Sequence, residues 1–265
     1  MCGIAGYSLS PDSNVHRTLA AQALLAGIAE RGADAVGYAY RAAGERYPTV
    51  VKQRTPASLL LERIAIPEAA THALVHVRDY TKGHPSIAAN NHPVRHGPVV
   101  GIHNGIIAND DEILACFECS RAEPRMTVDS EAIFALAAHS HADARALEEL
   151  RGTMATGWMD ERAPDVLYLA RGIGRPLWLG RGRRELFFAS TRDALEVVER
   201  YTGVRLRKQA LREGTFVAAR DGRIVQRTSF TPDASFVEED PLPPVRAPQE
   251  ALSCLARLAA LAAAA

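Results

Sequence analysis

An α+β fold, with two sheets packed together and helices outside them, is predicted by three features of the sequence. Many short segments alternate apolar with small or polar residues, as half-buried strands do. The stretches with helical apolar spacing are few and fall in two blocks, so they cover sheets rather than alternate with each strand. The chain is 265 residues long and 47% apolar, long enough for a sizeable core, and it contains no internal repeat.

The elements follow in order. Ile4–Leu9 alternates as a strand, and Ser10-Pro11-Asp12 turns the chain. From Val15, the residues Leu19, Ala23, Ala26 and Ile28 recur at helical spacing, with Asn14 as the expected cap and Arg31-Gly32 as the stop. Strands are expected at Val36–Arg41 and Thr49–Lys52, a helix at Pro56–Ile64 and a strand at Ala73–Val77. Arg78 to Pro98 is rich in His, Gly, Pro and Asn, has no periodicity, and is long for a connection, a property of functional loops. A strand at Val99–His103 and helices at Asp110–Cys119 and Val128–His139 complete the first part. Strands then dominate, at Met154–Met159, Val166–Ala170, Leu177–Leu179, Leu186–Ala189, Thr215–Ala219 and Ile224–Gln226, interrupted by a helix at Arg192–Tyr201. Residues 1–230 read as one domain. Residues 231–247 form an acidic, proline-rich linker that cannot continue a sheet. Residues 248–265 are an Ala/Leu-rich tail, either a helix with Leu252, Leu255 and Leu258 on one side or a frayed end.

Thirty-one basic residues balance thirty-one acidic ones, so no global field favours nucleic acid or an anionic membrane. No basic start followed by an apolar run marks a secretory leader, and the longest weakly polar run, Ala251–Ala265, contains Arg257 and is too short to span a bilayer. Four scattered cysteines do not make a disulfide scaffold. A cytoplasmic protein is expected.

Cys2 sits directly behind the initiator methionine. If Met1 is removed, the thiol stands beside the chain's own amine. An α-amino group titrates at about 7.7–8.0 and a thiol at about 8.5, so at neutral pH the amine is partly free to take the thiol proton as sulfur attacks a carbonyl. The other reading of Cys2 is a small residue opening a strand.

Further motifs accompany it in order: Cys2-Gly3-Ile4-Ala5-Gly6, Arg31-Gly32-Ala33-Asp34, His76-Val77-Arg78 with Thr81 and Gly83, Asn91-His92-Pro93, His103-Asn104-Gly105 and Thr127-Val128-Asp129-Ser130-Glu131. With later echoes such as Gly174-Arg175-Pro176-Leu177, the series covers residues 2–228 and resembles the class II glutamine amidotransferase domain, as in the glutaminase half of glucosamine-6-phosphate synthase. The resemblance implies a four-layer α/β/β/α sandwich of the amino-terminal nucleophile hydrolase type. It implies L-glutamine as substrate, Cys2 as nucleophile, and Asn104 and Gly105 as the oxyanion hole. Arg78 would take the α-carboxylate, for which its planar fork is suited, and Asp129 the α-ammonium. Thr81 and Gly83 would frame the substrate loop, and Arg31 and Gly32 would flank the nucleophile. Taken alone, Asn104-Gly105 also reads as a hairpin turn and Asp129 as a helix cap.

The loop after the arginine departs from the pattern. Where the sugar-phosphate synthases commonly read Trp-Ala-Thr-His-Gly, this chain has Asp79-Tyr80-Thr81-Lys82-Gly83, so an apolar lid residue becomes a carboxylate and a histidine becomes a fixed cation. The altered pocket leaves open another amide, such as a γ-glutamyl compound, or a non-catalytic binding subunit. No metal or cofactor is expected: Cys116-Phe117-Glu118-Cys119 has no second ligand pair, and Gly172 and Gly174 lack the rest of a dinucleotide fingerprint. Relatives of this kind usually carry a second domain that uses the ammonia. The linker and tail cannot house one, so a separate ammonia-accepting synthase or transferase subunit is the expected partner.

Overall fold

The computed structural model of the protein describes residues 2–239 and 243–264. Its strands are β1 (Gly3–Leu9), β2 (Ala35–Ala42), β3 (Thr49–Gln53), β4 (Ala70–Arg78), β5 (Val94–His96), β6 (Val99–Ile107), β7 (Gly152–Asp160), β8 (Ala163–Arg171), β9 (Trp178–Arg181), β10 (Glu185–Ala189), β11 (Arg207–Ala210), β12 (Thr215–Arg220) and β13 (Arg223–Ser229). The helices are α1 (Arg17–Ile28), α2 (Ala57–Leu61), α3 (Asp110–Cys116), α4 (Glu131–His139), α5 (Arg192–Thr202) and α6 (Pro248–Ala264).

A seven-stranded sheet runs β11-β9-β10-β1-β4-β2-β3 and a six-stranded sheet β13-β12-β8-β7-β6-β5, with antiparallel pairing throughout both. Ile4 and Leu74 of the first sheet meet Val100, Ile102, Ala155 and Leu169 of the second in a fully buried layer between them. A second core lies between the first sheet and α1, α2, α5 and α6, where Leu24, Leu25, Leu60, Leu195 and Leu258 are buried. A third lies between the second sheet and α3 and α4. The order of layers is therefore helix, sheet, sheet, helix, as expected. Gly101 lets α4 approach β6: a Cβ there would stand 2.1 Å from Phe134 Cε1.

Several boundaries differ from the sequence reading. Helix α1 is capped by His16, whose Nδ1 accepts from the Leu19 N–H at 3.1 Å, and not by Asn14. Gly32 does not provide a left-handed stop; its φ of −174° is extended. It is small because a Cβ would lie 2.4 Å from the Arg78 carbonyl oxygen. Strand β6 continues four residues past His103, and β5, β11 and a 3-10 turn at Ala144–Glu149 were not expected. Strands β5 and β11 have three and four residues, too few for an alternation to register.

The tail is helical. Cys254 and Leu258 are its buried residues, with Leu255 and Leu261 packed beside them, whereas Leu252 is 62% exposed and lies off the expected apolar side. The helix is anchored before it begins, since Arg246 N and Ala247 N both donate to the Glu30 carbonyl. Glu250 accepts from Ser58 N at 3.0 Å, and Arg257 pairs with Glu62. Of the acidic, proline-rich stretch, Asp240, Pro241 and Leu242 lie outside the described residues.

Candidate active site

Two elements from different sheets converge at one end of the sandwich. Cys2 stands at the start of β1, whose Gly3 pairs with Val77 on β4, so the thiol lies beside Arg78, the last residue of that strand. From the second sheet, β6 brings His103, Asn104 and Gly105 across from Thr156, Ala155 and Met154 of β7. A cleft is lined by Cys2, Arg78, Thr81, Gly105 and Asp129 together with His92, His103 and Ser130. Its free volume is about 10 Å³, room for about one water. Wider hollows, of about 340 Å³ beside His72 and about 400 Å³ beside Arg223, contain none of the expected site residues.

The half-buried Cys2 thiol points at the Asp79 carbonyl, 3.4 Å from Sγ. Burial pushes its pKa up, against the opposing pull of a backbone hydrogen bond from Asp79 and of the Arg78 charge, so the resting thiol is protonated. Arg31 belongs to the 3-10 turn that follows α1, and its Nε donates to the Cys2 carbonyl at 2.9 Å, fixing the peptide next to the thiol.

Arg78 is buried, and its guanidinium closes a loop upon itself. Nη1 donates to Asn91 Oδ1 at 2.6 Å, and Nη2 donates to the Lys82 carbonyl at 2.9 Å and to that of Gly83. Gly83 has a φ of +79°, in the left-handed region that glycine tolerates. Asn90 and Asn91 build this wall and were missed as site residues. Asn90 Oδ1 accepts from Thr127 N and Val128 N at 2.8 and 3.1 Å, while Asn91 Nδ2 reaches the Pro85 carbonyl at 2.9 Å. The available signal was a pair of asparagines in a long loop, each able to donate and accept where no ladder supplies partners.

The departures from the family loop have structural partners. Lys82 Nζ binds Asp110 Oδ1 at 2.6 Å and Asp111 Oδ2 at 3.3 Å, and Arg121 braces the same carboxylates and Glu131. The loop is thereby tied to the start of α3. Asp79 is reached by Arg246, whose Nε lies 3.4 Å from its Oδ1, so the segment leading into α6 passes beside the site.

Asp129 precedes α4, and its carboxylate accepts from the Ile107 N–H of β6 at 2.7 Å, a contact between elements that helix capping alone does not explain. Burial pushes its pKa up to about 6, and the like charge of Asp110 adds to the rise; the Ile107 and Ser130 N–H groups and the Lys82 ammonium pull the other way. His103 takes its tautomer from its neighbours. Its Nε2–H faces the Thr153 carbonyl at 3.3 Å, leaving Nδ1 to accept from the Ser130 hydroxyl at 2.9 Å. Asn104 is fully buried, and among the described residues both its side-chain amide atoms lack a partner. Gly105 has a φ of +147°.

A cysteine at the first strand of one sheet, facing a polar strand of the opposite sheet in an antiparallel α/β/β/α sandwich, is the arrangement of the amino-terminal nucleophile fold. The family described as a glutamine amidotransferase domain matches residues 76–197. Isomerizing glutamine–fructose-6-phosphate aminotransferases of Escherichia coli and Salmonella typhimurium are 33% identical over 214 residues, covering 76% of this chain and 33% of their own length. That of Symbiobacterium thermophilum is 32% identical over 206 residues, covering 74% and 32%. The chain thus spans about a third of the curated relatives it matches. Among solved structures, the glutamine phosphoribosylpyrophosphate amidotransferase of B. subtilis superposes with a TM-score of 0.68 at 19% identity, covering 86% of this chain and 49% of that one. A structure described as the allosteric regulatory enzyme of purine biosynthesis gives 0.66 at 18%. This chain carries a class II glutamine amidotransferase domain.

Proposed function

We propose that residues 1–230 form a glutaminase module that releases ammonia from L-glutamine through a γ-glutamyl thioester on Cys2. After Met1 is removed, the Cys2 amine takes the thiol proton as sulfur attacks the side-chain amide. The Asn104 side chain and the Gly105 N–H stabilise the oxyanion, ammonia leaves, and water hydrolyses the thioester to glutamate. Arg78 takes the α-carboxylate and Asp129 the α-ammonium. Thr81 and Gly83 contribute the loop, and Arg31 and Gly32 hold the nucleophile's strand. The observation that carries this reading is the meeting of Cys2, Arg78, Gly105 and Asp129 in one cleft.

The cleft holds about one water, so glutamine enters only when the 79–83 loop moves away from α3. The ion pairs of Lys82 and Asp79 are the ties that must loosen, and they favour a pocket with its own preference among γ-glutamyl amides. Ammonia goes to a separate synthase or transferase subunit. No cofactor enters the chemistry, and among the described residues no cluster of metal-binding side chains and no helix long and apolar enough to cross a membrane occurs.

The test is glutamate release from L-glutamine by purified protein whose loss of Met1 has been confirmed by intact mass. Turnover is expected. No turnover of glutamine or of a panel of γ-glutamyl amides by processed protein would reject the reading.

The ammonium partner predicts a pH dependence. Asp129 must be ionised to hold an ammonium, and its pKa is pushed up to about 6. KM for glutamine is expected to be flat above pH 7 and to rise about tenfold per unit well below pH 6, as the carboxylate protonates. In Asp129→Asn, KM should be high throughout and lose that acid limb. An unchanged limb in the variant would assign it to another group.

A further inference from the structure

Most polar groups in the wall of the cleft are accounted for within the protein. Arg78 has three acceptors, Asp129 has the Ile107 N–H, and His103 has Ser130 and Thr153. His92 is different. It is 3% exposed and lines the cleft with Cys2, yet neither ring nitrogen has a hydrogen-bond partner among the described residues. A buried polar group left unmatched is destabilising, so its persistence calls for an occupant that satisfies it.

The ring is held in place by packing. It stacks on His76 with centroids 4.1 Å apart and planes 20° from parallel. His76 is itself fixed, its Nε2–H facing the His103 carbonyl at 3.1 Å. The His92 backbone lies close against β2, where a Cβ on Gly37 would stand 2.3 Å from the His92 carbonyl oxygen. Burial and the nearby His76, Arg78, His103 and Lys52 hold His92 well below the usual imidazole range, so the ring is neutral and keeps one bare nitrogen.

His92 lines the cleft with Cys2, and its neutral ring offers one unpartnered acceptor nitrogen and one unpartnered N–H. A carboxamide, with both donor and acceptor, can match this combination, and a carboxylate, with acceptors only, cannot. In glutamine, the group that must lie at Cys2 is a carboxamide, whose –NH₂ is a donor that glutamate lacks. We propose that His92 is a substrate-contacting specificity residue, accepting an N–H of the side-chain amide and so favouring amide over carboxylate. This rests on glutamine as the substrate. A site built to hydrogen-bond a donor discriminates against the analogue without it, because its own group is left unpaired.

The experiment is equilibrium binding of L-glutamine and L-glutamate by calorimetry to Met1-processed Cys2→Ala protein, with and without His92→Phe. Phenylalanine keeps the stacking ring and removes both nitrogens. Glutamine affinity is expected to fall about tenfold while glutamate affinity stays within about twofold. His92→Asn, which retains an acceptor, should recover most of the discrimination and serves as the test if His92→Phe does not fold. Equal weakening of both ligands, no weakening, or loss of discrimination in His92→Asn equal to that in His92→Phe overturns the inference. Binding does not depend on turnover. Selective glutamine binding that requires His92, in a protein that proves inactive, upholds this inference and counts against the catalytic reading alone. Binding of neither amino acid defeats both.

Discussion

Cys2→Ala should abolish glutamate release while leaving glutamine binding in place. The thiol is half-buried at the mouth of β1, 3.4 Å from the Asp79 carbonyl, and burial keeps it protonated at rest. In the proposed mechanism the proton therefore leaves during attack, toward the amine that sits beside the sulfur by covalent connection once Met1 is gone. Alanine preserves Met1 removal, the free amine and the strand pairing of Gly3 with Val77 and removes only the sulfur. Steady-state glutamate release with the background subtracted is the readout, beside calorimetric binding to show that the site persists. Release retained within tenfold of the parent would mean that sulfur is not the nucleophile.

Gly105→Ala should lower kcat by about 10²–10³, the loss typical of one oxyanion donor. The backbone φ of +147° disfavours any side chain, and an alanine Cβ would stand 1.9 Å from the Thr153 carbonyl oxygen and 2.7 Å from His103 Nε2. Thr153 belongs to β7, which cannot retreat without opening the pairing that holds β6. The Gly105 peptide must therefore shift, carrying its N–H off the aim that the proposed oxyanion hole requires. Asn104→Ala removes the second proposed donor without backbone strain and is expected to give a loss of the same order, with KM changed far less than kcat. Comparing the two variants separates displacement of a donor from its deletion. A Gly105→Ala protein with the parent's kcat would exclude this peptide from the oxyanion hole.

The candidate site residues were legible because the chemistry proposed for them demands their types, which do not depend on burial. A thiol behind Met1, an arginine for a carboxylate, an aspartate for an ammonium and an Asn-Gly pair can be recognised as letters. Their ordering along the chain was legible for the same reason. The supporting residues were harder to read. Asn90 matters through the Thr127 and Val128 N–H groups it satisfies and Asn91 through the Arg78 guanidinium, and these partners meet them only after β4 and the loop before α4 have come together. Gly32 looked like a helix stop, but its smallness answers to Arg78, forty-six positions away in sequence and adjacent in space.

The sequence by itself determined the pattern of sheets and covering helices, because alternation of apolar residues is a local record of which face is buried. It also named Cys2, Arg78, Thr81, Gly105 and Asp129, which the fold brings to one cleft. The tertiary structure decided what distance along the chain conceals. It ran β6 beyond His103, so that Asn104 and Gly105 lie within a paired strand and do not form a turn. It put Lys82 on the carboxylates of α3, brought Arg246 to Asp79, and left Leu252 exposed while Cys254 and Leu258 took the buried face of α6. Each of these outcomes is set by a partner from another element. A residue's neighbours along the chain fix its conformation, and its neighbours across space fix its charge, its aim and its exposure.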